Sequence, residues 1–196
     1  MTYVLLHGFT GDPRVFAALA PRLDGRVIAP LLPGHGPRPA CVGTWDEEVV
    51  RLAAWLRSEG VRDAHLVGYS LGGRLAWSLL DRDDLFCRAT LIGAHPGLDE
   101  PERASRREAD RRFIDRLDRE GLEAFVDAWE ALAIFASQRS LPIDVIAAQR
   151  AIRRSHTAAG LANALRSLGL AEMPRPNEPR IPVELVVGGL DPRHVA

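Results

Sequence analysis

A serine between two glycines is the feature of this 196-residue sequence with the clearest chemical meaning. Gly68-Tyr69-Ser70-Leu71-Gly72 follows the apolar run Ala64-His65-Leu66-Val67 and precedes an apolar stretch with helical spacing. A sharp turn from a strand into a helix holds a serine in a strained backbone conformation, and glycines two residues to either side avoid collisions in that turn. The motif and its setting therefore predict a reactive serine at Ser70.

A second motif would supply hydrogen-bond donors to the same reaction. Val4-Leu5-Leu6 has the character of a short buried strand, and His7-Gly8-Phe9-Thr10-Gly11 follows it directly. We expect the backbone N–H groups of Phe9 and Leu71 to converge on the negative oxygen that develops in the reaction, since such a pair is often the largest single catalytic contribution. The His7 ring is expected to hold this loop in place, because the chemistry of the motif lies in its amides.

The composition excludes several classes of function. The formal net charge is −1, from 26 acidic and 25 basic residues, so no global field attracts nucleic acid or an anionic membrane. All the basic residues are arginine, which leaves no lysine for a Schiff base. Cys41 and Cys87 have no metal-binding or redox spacing, and no signal peptide or long apolar run is present. We expect a cytoplasmic protein that needs no metal, nucleotide or flavin cofactor.

Apolar periodicity predicts alternating strands and helices in residues 1–98. Strands are expected at 3–6, 26–31, 64–69 and 88–92, and helices at 15–23, 44–58 and 71–80. Strands that are short, apolar throughout and separated by helices predict an α/β fold with a mainly parallel sheet and helices on both faces. Pro33-Gly34-His35-Gly36-Pro37 is a loop by composition, and His35 is expected to have a structural role.

Residues 99–170 carry consecutive helical patterns with no strand between them, at 102–117, near 121–132, near 143–154 and near 158–168. This change of pattern predicts a helical insertion into the α/β core. Pro174, Pro176, Pro179 and Pro182 then break the chain before a last strand at 183–187, so residues 171–196 form a second part of the core.

The combined pattern resembles the α/β-hydrolase fold, and several segments are similar to those of the 2-succinyl-6-hydroxy-2,4-cyclohexadiene-1-carboxylate synthases. These menaquinone-pathway lyases eliminate pyruvate from 2-succinyl-5-enolpyruvyl-6-hydroxy-3-cyclohexene-1-carboxylate. The similar segments are LHGFTG at 6–11, PGHG at 33–36, VGYSLGGR at 67–74, HPGL at 95–98 and FAS at 135–137. The resemblance runs through nearly the whole chain, and it implies that the helical insertion is a lid that selects the substrate.

The resemblance also implies that a small polycarboxylate is bound by three arginines: Arg74, Arg106 and Arg154. Guanidinium groups suit this task, because they bind carboxylates through two parallel hydrogen bonds and keep their charge. Tyr69, Trp129 and Phe135 would line the same pocket. For the two aromatics in the insertion, packing in a core is an equal alternative, since clefts and cores favour the same residue types.

In the family that the chain resembles, the serine acts as a base, which requires a histidine to remove its proton and a carboxylate to orient that histidine. Asp191 is the candidate carboxylate, since it follows the last predicted strand and Gly188-Gly189. His194 lies too close to Asp191 to reach between it and Ser70. We therefore expect that the triad histidine, with a C-terminal strand and helix, lies beyond residue 196, and that this chain is poorly stable and weakly active, with an uncovered apolar edge at 183–187.

Two other interpretations stay open. One is a serine hydrolase that cleaves an ester, a thioester or a carbon–carbon bond with the same serine. The other is a binding protein without catalysis, which keeps the pocket but has an incomplete triad. The sequence determines neither the oligomeric state nor whether the lid is open or closed.

Overall fold

Five parallel strands form one sheet in the computed structural model, which describes residues 1–37, 42–82 and 84–189. The strand order is β2-β1-β3-β4-β5. The strands are β1 (Thr2–Leu6), β2 (Arg26–Ile28), β3 (Ala64–Tyr69), β4 (Phe86–Ile92) and β5 (Val183–Val186). The prediction of a mainly parallel sheet is confirmed.

The register aligns the carboxyl ends of the central strands. Leu6 at the end of β1 lies opposite Gly68 in β3, and Tyr69 lies opposite Ile92 in β4. The loops that follow these strands therefore leave the sheet at one edge, which is where ligands bind in open α/β sheets.

Two α-helices cover one face of the sheet. They are α1 (Trp45–Ser58) and α2 (Leu71–Leu79), and they enclose strand residues such as Leu6, Leu66 and Leu91 in the main core. Helix α1 begins at a capping box, in which the Thr44 hydroxyl accepts a hydrogen bond from the Glu47 N–H and the Glu47 carboxylate accepts one from the Thr44 N–H.

On the opposite face, a smaller cluster joins Leu5 and Val67 to Phe16 of the 3-10 turn Pro13–Phe16, and a second 3-10 turn follows at Ala20–Arg22. The predicted helix at 15–23 is therefore wrong. Pro21 would lie in the interior of that helix, where it removes a backbone donor and clashes with the preceding turn. Strand β2 also ends earlier than predicted, at Ile28, two residues before Pro30.

Four α-helices lie between β4 and β5, as the sequence predicts. They are α3 (Glu100–Arg119), α4 (Gly121–Glu130), α5 (Ile143–Arg153) and α6 (Ala158–Leu168), with 3-10 segments at Ala133–Ser140 and Leu170–Glu172. Helices α3, α4 and α6 enclose a second core that includes Leu117, Phe125 and Leu161. We call residues 99–170 the insertion; its bounds as a separate unit stay a prediction.

Strand β5 is an edge strand with apolar side chains in solvent. Leu185 is 57% exposed and Val186 is 40% exposed. That this edge stays uncovered is a prediction; an uncovered apolar edge would pair readily with another strand.

Candidate active site

Ser70 occupies a strained turn between β3 and α2. Its φ is 51° and its ψ is −110°, a positive-φ conformation that costs a non-glycine residue on the order of 1–3 kcal/mol. A Cβ atom on Gly68 would lie 2.6 Å from the Gly72 carbonyl oxygen, and a Cβ atom on Gly72 would lie 2.2 Å from the Leu6 oxygen. The flanking glycines are thus required by close approach of the helix to β1 and β3, as the sequence predicts.

The same close approach brings the loop after β1 beside the serine. A Cβ atom on Gly8 would lie 3.4 Å from the Ser70 Cβ atom. The Gly8 carbonyl oxygen accepts hydrogen bonds from the Gly11 N–H, at 3.0 Å, and from the His7 ring Nδ1, at 2.9 Å. Because a trans peptide is planar, this carbonyl fixes the opposite direction for the Phe9 N–H.

The second predicted donor is the N–H of Leu71, the first residue of α2. The first four N–H groups of a helix have no acceptor within the helix. Within the described residues, neither the Phe9 nor the Leu71 N–H forms one of the backbone hydrogen bonds of the loops and turns. That these two N–H groups bind a ligand oxygen stays a prediction.

The Tyr69 ring lies beside Ser70 and contacts two neighbouring loops. A Cβ atom on Gly8 would lie 2.8 Å from the Tyr69 Cδ1 atom, and one on Gly93 would lie 3.8 Å from its Cε2 atom. The ring therefore lies between the loops after β1 and β4. Because Tyr69 is 43% exposed, its outer face is accessible beside Ser70.

Trp129 connects the insertion to the Phe9 loop. Its ring centre lies 5.2 Å from that of Phe9, 5.8 Å from that of Phe135 and 5.6 Å from the stacked ring of Phe125. Phe113 completes the group at 5.2 Å from Trp129. We call these five rings the aromatic cluster. Sequence reasoning missed Phe113 and Phe125, although the spacing of Phe125 and Trp129 is that of neighbours on one helix face.

Arg74 lies one turn after Ser70 and is buried. Its N–H donates to the Ser70 carbonyl oxygen, its Nη1 donates to the Leu168 carbonyl oxygen at 3.1 Å, and its Cζ lies 5.8 Å from the centre of the Trp45 ring. Burial, with a smaller contribution from repulsion by Arg106, lowers the pKa of Arg74 to about 9, so the group is still charged at neutral pH.

Arg106 brings a second guanidinium to the same place. Its Nε lies 3.0 Å from a carboxylate oxygen of Asp110, one turn further along α3, and Asp110 is only 5% exposed. The negative charge of Asp110 also acts on Arg74, where it partly opposes the lowering of the pKa. Two guanidinium groups therefore share one buried carboxylate, and this leaves a local excess of positive charge.

The third predicted arginine, Arg154, lies elsewhere. Its side chain is half exposed and forms an ion pair with Glu123 at 2.7 Å. The neighbouring Arg153 is buried, its Cζ lies 5.3 Å from the Phe135 ring centre, and its Nη1 lies 3.0 Å from Glu130. Adjacent helical residues point in different directions, so the arginine against the aromatic cluster is Arg153. The sequence shows no signal that separates the two, because the phase of α5 is set by its packing.

Three histidines are buried close to the Phe9 loop: His7, His35 and His156. The His7 ring donates through Nδ1 to the Gly8 oxygen and accepts through Nε2 from the Leu32 N–H at 3.0 Å. Both ring nitrogens are thus occupied by backbone, which agrees with the structural role expected from the sequence. Asp191 and His194 lie outside the described residues.

Neither a metal site nor a membrane span is found in the described ranges. No group of three or more histidine, cysteine, aspartate or glutamate side chains there could hold a metal ion. No helix in those ranges is long and apolar enough to cross a membrane.

The parallel sheet, the serine turn and the helical insertion together define an α/β hydrolase. Residues 3–196 match the family described as "Alpha/beta hydrolase family". Among curated proteins, the chain is 34% identical to the putative 2-succinyl-6-hydroxy-2,4-cyclohexadiene-1-carboxylate synthase of Bacillus subtilis (strain 168), over 98% of this chain and 74% of that protein. It is 35% identical to the synthase of that name from Enterobacter sp. (strain 638), over 87% of this chain and 67% of that protein.

Solved structures agree with this assignment. MenH from S. aureus superimposes with a TM-score of 0.87 at 30% identity, over 94% of this chain and 74% of that chain. A thermophilic esterase from Thermogutta terrifontis, with malate bound, superimposes with a TM-score of 0.77 at 27% identity, over 96% of this chain and 71% of that chain. The chain belongs to the α/β-hydrolase family and, within it, to the 2-succinyl-6-hydroxy-2,4-cyclohexadiene-1-carboxylate synthases.

Replacement of Gly72 by alanine tests the close approach of α2 to β1. The added Cβ would overlap the Leu6 carbonyl oxygen, and backbone cannot move away as a side chain can. We expect a loss of about 2–4 kcal/mol in unfolding free energy, measured by urea denaturation. Gly188→Ala is the matched control, since a Cβ there meets nothing within 4 Å. Equal stability of the two variants would contradict the packing described.

The buried histidines make stability depend on pH. Burial lowers the pKa of His7 from 6.5 to about 4 and also lowers the pKa values of His35 and His156. The unfolded chain binds protons as the pH falls through 6.5, whereas folded His7 stays neutral until about pH 4. The free energy of unfolding should therefore fall below pH 6.5, with a loss of up to about 3 kcal/mol from His7 alone by pH 4. Denaturation curves at pH 7.5, 6 and 5 check this expectation, and constant stability across the series would contradict it.

Proposed function

We propose that this chain, like the relatives named as 2-succinyl-6-hydroxy-2,4-cyclohexadiene-1-carboxylate synthases, forms that product. The proposed reaction is a lyase reaction that eliminates pyruvate from 2-succinyl-5-enolpyruvyl-6-hydroxy-3-cyclohexene-1-carboxylate. The observation that carries this proposal is the buried Arg74, one turn from Ser70, whose charge is influenced by both Arg106 and its ion-pair partner Asp110. A buried excess of positive charge favours an anion, and this substrate is a polycarboxylate.

The names of substrate and product define the bonds that change. A 3-cyclohexene becomes a 2,4-cyclohexadiene, so C2 loses a proton, the double bonds become C2=C3 and C4=C5, and the C5–O bond breaks. The leaving oxygen carries the three-carbon enol group, which becomes pyruvate once its carbon is protonated. Negative charge in the transition state can spread onto the succinyl ketone oxygen, which is attached next to C2.

The site offers a group for each of these steps. Ser70 takes the C2 proton as the base, and the N–H groups of Phe9 and Leu71 bind the ketone oxygen as charge develops on it. Serine is basic enough only when a histidine removes its own proton and a carboxylate orients that histidine. In this proposal the carboxylate that orients the histidine is Asp191. The enzyme acts in the cytoplasm and needs no cofactor.

The substrate carboxylates are bound by arginines, with aromatic side chains around the ring. Arg74 and Arg106 bind one end, and Tyr69, Trp129 and Phe135 line the pocket. Because Arg153 is buried against Phe135 whereas Arg154 is paired with Glu123 at the surface, we assign the third carboxylate contact to Arg153. The buried Trp129 Nε1 has no hydrogen-bond partner in the described residues and is available to the substrate.

A serine hydrolase that acts on a carboxylate-bearing ester is the second candidate. The same turn would present Ser70 as a nucleophile, and the same amides would bind a tetrahedral intermediate. The similarity to an esterase with malate bound favours keeping this possibility. Covalent labelling distinguishes the two reactions, since only the hydrolase forms an acyl-serine with a slowly hydrolysed ester.

Ser70→Ala should abolish pyruvate release from the cyclohexene substrate, because no other group can take the C2 proton. We expect a loss of at least about a thousandfold in kcat, as is usual when a member of a catalytic triad is removed. Pyruvate is followed by its reduction with a coupled dehydrogenase. Retention of substrate binding by Ser70→Ala, measured by calorimetry, would show that the variant is folded. Undiminished turnover would contradict the role of Ser70.

Arg153 and Arg154 are adjacent in the insertion, and their alanine variants allow a matched comparison. Arg153→Ala should lower kcat/KM by about ten- to a hundredfold, since a charged hydrogen bond contributes roughly 1.5–3 kcal/mol. Arg154→Ala removes only an exposed ion pair and should change kcat/KM by less than about threefold. The reverse order of effects in the pyruvate assay would return the carboxylate contact to Arg154.

A further inference from the structure

We propose that His156, a residue of the insertion, acts with His35 as a positioning residue that fixes the direction of the Phe9 N–H. The inference rests on the proposed function in one respect, namely that this N–H binds the developing negative charge. The structural part of the inference, a hydrogen-bonded link from the insertion to the Phe9 loop, stands on its own geometry.

The three buried histidines form a continuous group, which we call the histidine brace. The ring centres of His7 and His35 are 4.9 Å apart, and those of His35 and His156 are 5.3 Å apart. All three rings are at least 95% buried. Each ring nitrogen has a backbone partner, so the brace joins the Phe9 loop, the loop after β2 and the insertion.

Thr10 takes part in two of these hydrogen bonds, one as donor and one as acceptor. Its N–H donates to the His35 Nε2 at 3.1 Å, and its carbonyl oxygen accepts from the His156 Nε2 at 3.0 Å. Thr10 has a φ of 64°, in the left-handed region that a β-branched residue rarely adopts. The two histidines therefore hold Thr10 in a conformation that the backbone would otherwise leave.

Backbone groups determine which nitrogen of each ring carries the proton. The His35 Nδ1 donates to the Pro33 carbonyl oxygen at 3.0 Å, which leaves its Nε2 as an acceptor for Thr10. The His156 Nδ1 accepts from the Gly36 N–H at 2.8 Å, so the proton lies on Nε2, where it is donated to Thr10. Only a neutral ring provides one donor and one acceptor in this way.

The bonds to Thr10 reach Phe9 through the chain. The Thr10 N–H, which donates to His35, belongs to the peptide between Phe9 and Thr10, and the Gly8 carbonyl fixes the peptide before Phe9. With both flanking peptides fixed, the Phe9 N–H has one direction. The His156 bond lies one peptide further on: it holds the Thr10 carbonyl oxygen, and with it the Thr10 conformation that directs the Thr10 N–H at His35.

The insertion is firmly attached at this point. Ser155 accepts a hydrogen bond from Arg14 at 2.6 Å. At the start of α6, a Cβ atom on Gly160 would lie 2.6 Å from the Gly34 carbonyl oxygen, so the helix touches the loop after β2 backbone to backbone. His156 thus lies between two contacts with the core. Its position relative to Thr10 therefore does not depend on the rest of the insertion.

Two substitutions of His156 separate its two hydrogen bonds. His156→Gln retains an N–H donor at the position of Nε2 and loses the acceptor for Gly36, whereas His156→Asn retains the acceptor at the position of Nδ1 and loses the donor to Thr10. In ¹⁵N-labelled protein we expect the Phe9 and Thr10 amide signals to move in the Asn variant, with hydrogen exchange at Thr10 at least about tenfold faster. In the Gln variant both should stay close to those of the unmodified chain.

If His156 only stabilised the fold, the result would differ: both variants would lose stability and neither would shift the Phe9 amide signal selectively.

A second measurement needs no substitution. The ¹⁵N shifts of the histidine rings should show the Nε2–H form for His156 and the Nδ1–H form for His7 and His35 at neutral pH. The opposite form at His156 would overturn the proposal even if the variants failed to fold.

The pyruvate assay separates failure of this inference from failure of the proposed function. With an active chain, His156→Asn should lower kcat about tenfold or more at nearly unchanged KM, and His156→Gln should restore most of it. If the amide signals change as expected but the unmodified chain releases no pyruvate, the lyase proposal fails and the brace stands. If pyruvate is released and the Asn variant alters neither kcat nor the amide signals, the brace is overturned.

Discussion

The close approach of α2 to the ends of β1 and β3 is the constraint on which the site depends. Gly68 and Gly72 allow it, because any side chain there would overlap backbone of the neighbouring element. The approach has two consequences: Ser70 is held at a positive φ at the start of α2, and the loop after β1, which carries Phe9, is brought beside Ser70. The backbone strain at Ser70 is stored where it presents the hydroxyl to a ligand, and the packed sheet maintains it.

The side chain of Arg74, one turn after Ser70, is a buried positive charge. Arg74 is buried against Trp45, donates to a backbone carbonyl and has no carboxylate hydrogen-bonded to it among the described residues. Burying a charge without a full partner is costly, and the cost is tolerated where a ligand supplies the missing charge. Because Asp110 is shared with Arg106, the insertion and the core each bring one guanidinium to the same place. A carboxylate would therefore draw the two parts together.

Features that depend on residues close together in the sequence can be predicted from it. Features that depend on packing between segments far apart in the chain cannot. The turn around Ser70 and the parallel strands follow from glycine spacing and apolar runs, and the structure has both. The helix predicted at 15–23 is absent because Pro21 interrupts the apolar periodicity that favours it, and two 3-10 turns form instead. Arg153 and Arg154 differ only in the phase of α5, which packing against the aromatic cluster decides. The acid Asp191 lies outside the described residues and stays a prediction.

The histidine brace shows most clearly why such a site is hard to read from sequence. Its central hydrogen bond joins residues 10 and 156, which are far apart in the sequence. The residues around each histidine form no motif that indicates this contact. Neutral imidazole suits the task because its donor and acceptor lie on opposite sides of a rigid ring, so it can bridge two backbone segments. An ionised side chain there would be costly to bury, and a hydroxyl would be too short to span the same gap. The fold thus holds the Phe9 loop with buried neutral imidazoles and not with ionised side chains.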